Sequence, residues 1–181
     1  MNDKALRTLQ ANAATELFLA IATEEIEALA DAIIAAQRIF VAGFGRAGNV
    51  VRILGMNCAQ MGKIVFSVGD NNTPAIKAGD LLIIGSRSGN TKTMQIICTQ
   101  AKEHGATIAL ISSDAASPIG KMAALNVVIP RIAVEAELPL LTKGLTYYQA
   151  AFILGDYMEE IIMRRLGLTY EDVMANHNNL E

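Results

Sequence analysis

Leu81-Leu82-Ile83-Ile84-Gly85-Ser86-Arg87-Ser88-Gly89-Asn90-Thr91 is the stretch on which the fold turns. Four apolar residues with no polar alternate read as a short strand buried on both faces, the state of a strand inside a parallel sheet. Gly85 and the small polar run behind it end that strand, and Thr91 opens a helix-length amphipathic segment. The same unit recurs on both sides. Ile39-Phe40-Val41-Ala42 and Ile64-Val65-Phe66 precede it, and Thr107-Ile108-Ala109-Leu110-Ile111 and Val127-Val128-Ile129 follow. Strand-helix repetition of this kind predicts an α/β fold, a doubly wound five-stranded parallel sheet flanked by helices with right-handed crossovers.

Further out, Leu6, Leu9, Ala13, Leu17 and Ala20 recur at helical spacing. A second helix starts at Thr23, read as its cap with Glu24 and Glu25 in the first turn, and runs to about Gln37. Beyond Pro130 the pattern changes: Glu135-Ala136-Glu137-Leu138-Pro139 reads as a loop. A long helix is expected from about Thr142 to Leu166, ended by Gly167, and Thr169-Tyr170-Glu171-Asp172 opens a short last one. With no repeat or linker, residues 1–181 read as one domain: N-terminal helices over about 3–37, a sheet core over about 38–130, and C-terminal helices over about 142–176.

Composition sets the outer bounds. At 181 residues, 52% hydrophobic and 18% charged, the chain is no disordered segment and has material for a sizeable core. The apolar excess points to a homo-oligomer, a dimer or tetramer, as its outlet. A net charge of -3 without a basic run argues against nucleic acid as a partner. No apolar run has bilayer length, and Met1-Asn2-Asp3-Lys4 has no signal pattern, so no membrane partner is expected. Cys58 and Cys98 form no CxxC pair and read as buried free thiols, which places the chain in the cytoplasm.

Ligands of such sheets gather at the C-terminal ends of the strands, and three loops there carry candidate chemistry. Gly43-Phe44-Gly45-Arg46-Ala47-Gly48 satisfies a dinucleotide-type glycine pattern, with Asp70 about 20 residues on. Asp70, however, falls beyond the expected end of the second strand, and Arg46 brings a cation that can meet a phosphate or sugar oxygen. Gly85 to Thr91 is the more informative loop. Ser86, Ser88 and Thr91 supply three hydroxyls, small residues let main-chain N–H groups converge, and the following helix adds its positive end, an anion cradle without a lysine. Ser112-Ser113-Asp114 puts further hydroxyls at the same sheet edge.

These loops, in this order, resemble the sugar isomerase (SIS) domain family over nearly the whole chain, with a flavodoxin-like three-layer sandwich implied. The nearest branch is the 6-phospho-3-hexuloisomerases. Gly43 to Gly48 is similar to that branch's Gly-x-Gly-Arg-Ser-Gly loop, and Leu81 to Thr93 to its Ser-Gly-Ser-Gly-Glu-Thr loop. Asn71-Asn72-Thr73-Pro74-Ala75-Ile76 resembles its threonine-proline turn, and Gly144-Leu145-Thr146-Tyr147-Tyr148-Gln149 falls at its Gly-Thr-Leu-Phe-Glu helix start. His177-Asn178-Asn179-Leu180-Glu181 is similar to its His-Ala-Asn-Leu-Glu tail. The resemblance implies an enzyme, with no metal or cofactor, that interconverts a 3-keto hexulose 6-phosphate and fructose 6-phosphate through an enediol. The implied ligand is a small phosphorylated sugar, its phosphate held by Ser86, Ser88, Gly89 and Thr91 with Ser113 in support. Gly45 and Arg46 then face the sugar.

Departures from the family pattern define the remaining candidates. Ala47 stands for a serine, Arg87 for a glycine and Asn90 for a glutamate. Tyr148 stands at the family's catalytic glutamate, and a phenol is a poor base at neutral pH. His177 has the intrinsic chemistry of a proton shuttle and is the expected replacement, reaching a neighbouring subunit's site from the tail. Glu135 and Glu137 are further carboxylates near the expected site, whereas His104 reads as a helix-end residue. Three alternatives stay open: a sugar-phosphate sensor without turnover, an isomerase of a different phosphosugar with Arg87 and Tyr148 reshaping the pocket, and a nucleotide enzyme using the glycine turn.

Overall fold

Five strands, β1 (Ile39–Gly43), β2 (Val65–Ser67), β3 (Leu81–Gly85), β4 (Thr107–Ser112) and β5 (Leu125–Val128), form one parallel sheet in the order β2-β1-β3-β4-β5. The coordinates are a computed structural model that describes residues 2–131 and 144–180. Around the sheet lie α1 (Asp3–Leu19), α2 (Thr23–Ala35), α3 (Gly45–Gln60), α4 (Lys92–Glu103), α5 (Leu145–Leu166) and α6 (Tyr170–Ala175).

Side-chain alternation explains why the strand sequences show none. Ile39, Val41, Leu81, Ile83, Ala109 and Ile111 face one core with α2, α3 and α5. Phe40, Ala42, Leu82, Ile84, Ile108 and Leu110 face the other, where α4 contributes Met94, Cys98 and Ala101. Both faces are dry at the centre of the sheet, so Leu81 to Ile84 of β3 carry no polar residue. α1 packs outside this frame, against α5.

The topology creates the site. From β1 the chain moves outward to β2, and from β3 it moves the other way to β4 and β5, so strand order reverses between β1 and β3. Their ends are in register, Gly43 beside Gly85, and the two following loops leave the sheet side by side. Glycine is required at the first: a Cβ on Gly43 would lie 2.8 Å from Gly48 Cα and 2.9 Å from the Gly85 carbonyl oxygen. The glycine pattern of residues 43–48 therefore has a packing role, seating α3 against two strands.

Several expected boundaries move. Thr23 is not the cap of α2 but its first residue; Ala22 occupies the N-cap with no side-chain bond, and Glu24 and Glu25 alone favour that end. The helix stops at Ala35, because Ala36 turns extended and Gln37 N–H goes to the Gly79 carbonyl at 3.0 Å. β5 starts at Leu125, earlier than the apolar triplet Val127-Val128-Ile129 suggests, since main-chain pairing begins with Ala109. α5 starts at Leu145; the expected start at Thr142, the loop at 135–139 and the carboxylates Glu135 and Glu137 lie outside the described residues.

Candidate functional site

Ser86, buried, leaves β3 with its N–H on the Ile111 carbonyl at 3.1 Å, and its Oγ lies 3.2 Å from Thr91 Oγ1. Thr91 is the N-cap of α4, yet its hydroxyl does not cap the helix; it faces Ser86 instead. The first-turn amides of α4 thus keep no side-chain acceptor, and the positive end of the helix opens onto these hydroxyls. Gly89 makes the turn at φ 59 with its N–H on the Ser86 carbonyl at 3.0 Å. Ser88 Oγ accepts from Asn90 N–H at 3.3 Å.

Two sequence candidates brace this loop instead of lining it. Asn90 accepts from Gln95 Nε2 through its main-chain oxygen at 3.1 Å and through Oδ1 at 3.0 Å. Ser113 donates its N–H to the Arg87 carbonyl at 2.9 Å, and its side chain does not line the cavity.

The cavity, about 260 Å³, is bounded by Ser86, Arg87, Ser88, Thr91, Arg131 and Tyr148, with Phe44 and Ala47 on the β1 side. Ala47 leaves that wall without a hydroxyl. Arg46 reaches the site through Tyr148, its Cζ standing 4.8 Å over the ring. Gly45, in contrast, turns at φ 56 toward a neighbouring hollow beside Gly43, Gly48 and Gly69.

The arginines give the cavity its electrostatic character. Of the chain's eight, Arg7, Arg38, Arg52, Arg164 and Arg165 pair with carboxylates. Arg46, Arg87 and Arg131 have no carboxylate partner among the described residues, and all three converge here. The Nε of Arg87 is buried and has no hydrogen-bond partner among the described residues. Unmatched cations beside hydroxyls and a helix N-terminus are groups that can hold an anion. Arg131 escaped sequence reasoning; the available signal was a cation directly after Pro130 at the end of the fifth strand.

Adjacent tyrosines take opposite parts. Tyr147 is buried with its hydroxyl donating to the Ile111 carbonyl at 2.8 Å, and burial raises its phenol above the ordinary value, so it stays protonated. Tyr148 is the one at the cavity. His177 lies elsewhere in its own chain: Asn176 Nδ2 donates to the Gln60 carbonyl at 3.1 Å, at the end of α3 remote from Gly45. The tail thus sits at the opposite sheet edge, and His104 is the C-cap of α4.

A hollow of about 270 Å³ between α3 and β2 lacks this character. Its cation, Arg52, already meets Asp70 at 3.9 Å, and Asp70 lies past the end of β2, off any ribose position. Among the described residues, no helix is long and apolar enough to cross a membrane.

Comparison with known proteins places the fold in a family. The SIS domain family model matches residues 32–154. A 3-hexulose-6-phosphate isomerase of Mycobacterium gastri is 32% identical over 161 residues, covering 87% of this chain and 81% of that protein. The 3-hexulose-6-phosphate isomerase of Methylomonas aminofaciens is 36% identical over 153 residues, covering 81% and 82%. A crystal structure from Methanococcus jannaschii, for which a function of 3-hexulose-6-phosphate isomerase was inferred, superimposes with a TM-score of 0.82 at 28% identity, over 96% of this chain and 98% of that one.

Proposed function

The chain belongs to the SIS domain family, and from that premise we propose that it is a phosphosugar isomerase interconverting a 3-keto hexulose 6-phosphate and fructose 6-phosphate. The observation that carries the reading is a cavity holding the hydroxyl and amide cradle of residues 86–91 that is bordered by Arg87 and Arg131, with Arg46 behind Tyr148, none of them with a carboxylate partner among the described residues. Phosphate binds at Ser86, Ser88 and Thr91 against the α4 N-terminus, which orients the sugar along the wall made by Tyr148 and Arg46. Removal of the C2 proton gives an enediol, and return of a proton to C3 leaves the carbonyl at C2. His177 carries that proton from a second copy of the chain, because within one chain it stands at the far sheet edge. The exposed Phe44 at the cavity is a surface a second copy would cover. The reaction needs no metal, so a chelator leaves its rate unchanged. It runs in the cytoplasm, where free thiols persist.

The test is fructose 6-phosphate in deuterated water. Carbon-bound deuterium is expected with the native protein, and none with His177→Ala, which still binds the sugar. Ser86→Ala with Thr91→Ala lowers phosphosugar affinity about tenfold or more, the worth of hydrogen bonds to a charged group. Unchanged affinity in that double variant would remove the cradle assignment. One observation favours a second reading, a sensor: the described residues lining the cavity include no carboxylate and no imidazole. Tight binding with no exchange would establish it.

A further inference from the structure

Arg87 stands where a phosphate clamp would be expected, inside the cradle loop, yet its head group is directed elsewhere. The guanidinium lies against Gly144, the N-cap of α5, so closely that a Cβ there would fall 2.6 Å from Cζ. Gly144 carries no side-chain cap, so the positive end of α5 meets a full positive charge at short range. Among the described residues no carboxylate or acceptor relieves the contact, and Nε is buried without a partner. Two like charges held in contact in a half-buried pocket are stabilised when an anion sits beside both of them. The phosphate is already served by Ser86, Ser88, Thr91 and the α4 N-terminus. The negative charge that fits the second position arises during reaction, beside the α5 turn that carries Tyr148.

We infer that Arg87 is an oxyanion-stabilising residue for the reacting end of the sugar and not a ligand of its phosphate. The inference rests on the phosphosugar reading above. When the C2–H bond breaks, its electron pair forms the C2–C3 double bond, and the carbonyl pair moves onto O3. Arg87 donates to that oxygen, beside the positive end of α5, until O3 is protonated. A donor placed where charge develops lowers the barrier far more than it tightens substrate binding.

Two four-carbon phosphates separate the possibilities by calorimetric titration. In erythronate 4-phosphate the carboxylate carbon stands where C3 of the enediolate would lie, with one charged oxygen in the place of O3; erythritol 4-phosphate has the same phosphate and no second charge. The native protein is expected to bind the erythronate about tenfold or more tighter, the scale of a charge-assisted hydrogen bond. Arg87→Gln abolishes that preference and leaves erythritol 4-phosphate affinity within about twofold, while Arg87→Lys keeps part of it. In turnover, Arg87→Gln lowers kcat by about 100-fold with little change in KM. A loss of affinity shared equally by both compounds makes Arg87 a phosphate ligand and overturns the inference, as does a native protein that binds them alike. If neither compound binds the native protein, the phosphosugar reading itself falls and the inference with it. Thermal melting of both variants, expected within a few degrees of the native protein, separates these results from misfolding.

Discussion

Cys58 under α3 and Cys98 under α4 have no exposed surface, and burial raises both thiols, that of Cys58 to about 12. Nucleophilic attack needs the thiolate, so both are expected to stay silent toward a disulfide reagent at pH 8 and to react together once urea unfolds the chain. Reaction of either thiol in the folded protein would contradict this burial. Buried cysteines were legible from sequence because they fall on the apolar faces of amphipathic segments. Arg131 was not, for the opposite reason. An arginine's meaning here lies in having no carboxylate partner among the described residues, and the grouping of residues 46, 87, 131 and 148 is a property of the folded chain alone.

At the scale of the element, one carbonyl ties the site together. Ile111 oxygen, at the end of β4, accepts from Ser86 N–H at 3.1 Å and from the Tyr147 hydroxyl at 2.8 Å. The start of the cradle and the start of α5 therefore hang on the same atom. Tyr147→Phe keeps the ring and its edge-on contact with Tyr148, and is expected to lower stability by about 1 kcal/mol, the net worth of one buried hydrogen bond. Loosening α5 also lets Tyr148 shift at the cavity, so activity falls further than the stability loss explains. Equal kcat/KM in the variant and the native protein would mean that α5 is held by packing alone. The strands and the helix after Thr91 were readable because their patterns are local. The role of Tyr147 was not, since neighbouring aromatic residues on a helix differ only in which face the tertiary structure buries. His177 is a related case: its sequence neighbours say nothing of the sheet edge at which α6 docks.

For the molecule as a whole, the edge of the sheet opposite the cavity is fastened by charge. Arg38, just before β1, donates from Nε to Asp80 Oδ1 at 2.9 Å and from Nη2 to Oδ2, while Lys77 N–H reaches Oδ2 at 2.8 Å. Asp80 stands just before β3 with its side chain fully enclosed. The two strands whose far ends carry the loops of the site are thus clamped together where they begin, which supports the register that sets Gly43 beside Gly85. The hydrogen bond from Arg38 holds the Asp80 carboxyl below its ordinary value of 3.8, with the Lys77 amide and both cations adding to it and burial opposing. A carboxyl with a depressed folded-state pKa binds fewer protons folded than unfolded over that interval. Its stabilising contribution is complete above the ordinary value and is withdrawn as pH falls through the lower, folded one. Asp80→Asn keeps the shape and removes the charge, so it is expected to lower the urea midpoint at pH 7 and to flatten the loss of stability below pH of about 4. Urea titrations of both proteins from pH 7 downward measure the difference directly. Parallel curves, with the variant displaced by a constant amount down to the acid limit, would show that the clamp acts through shape and hydrogen bonding, with no part played by its charge.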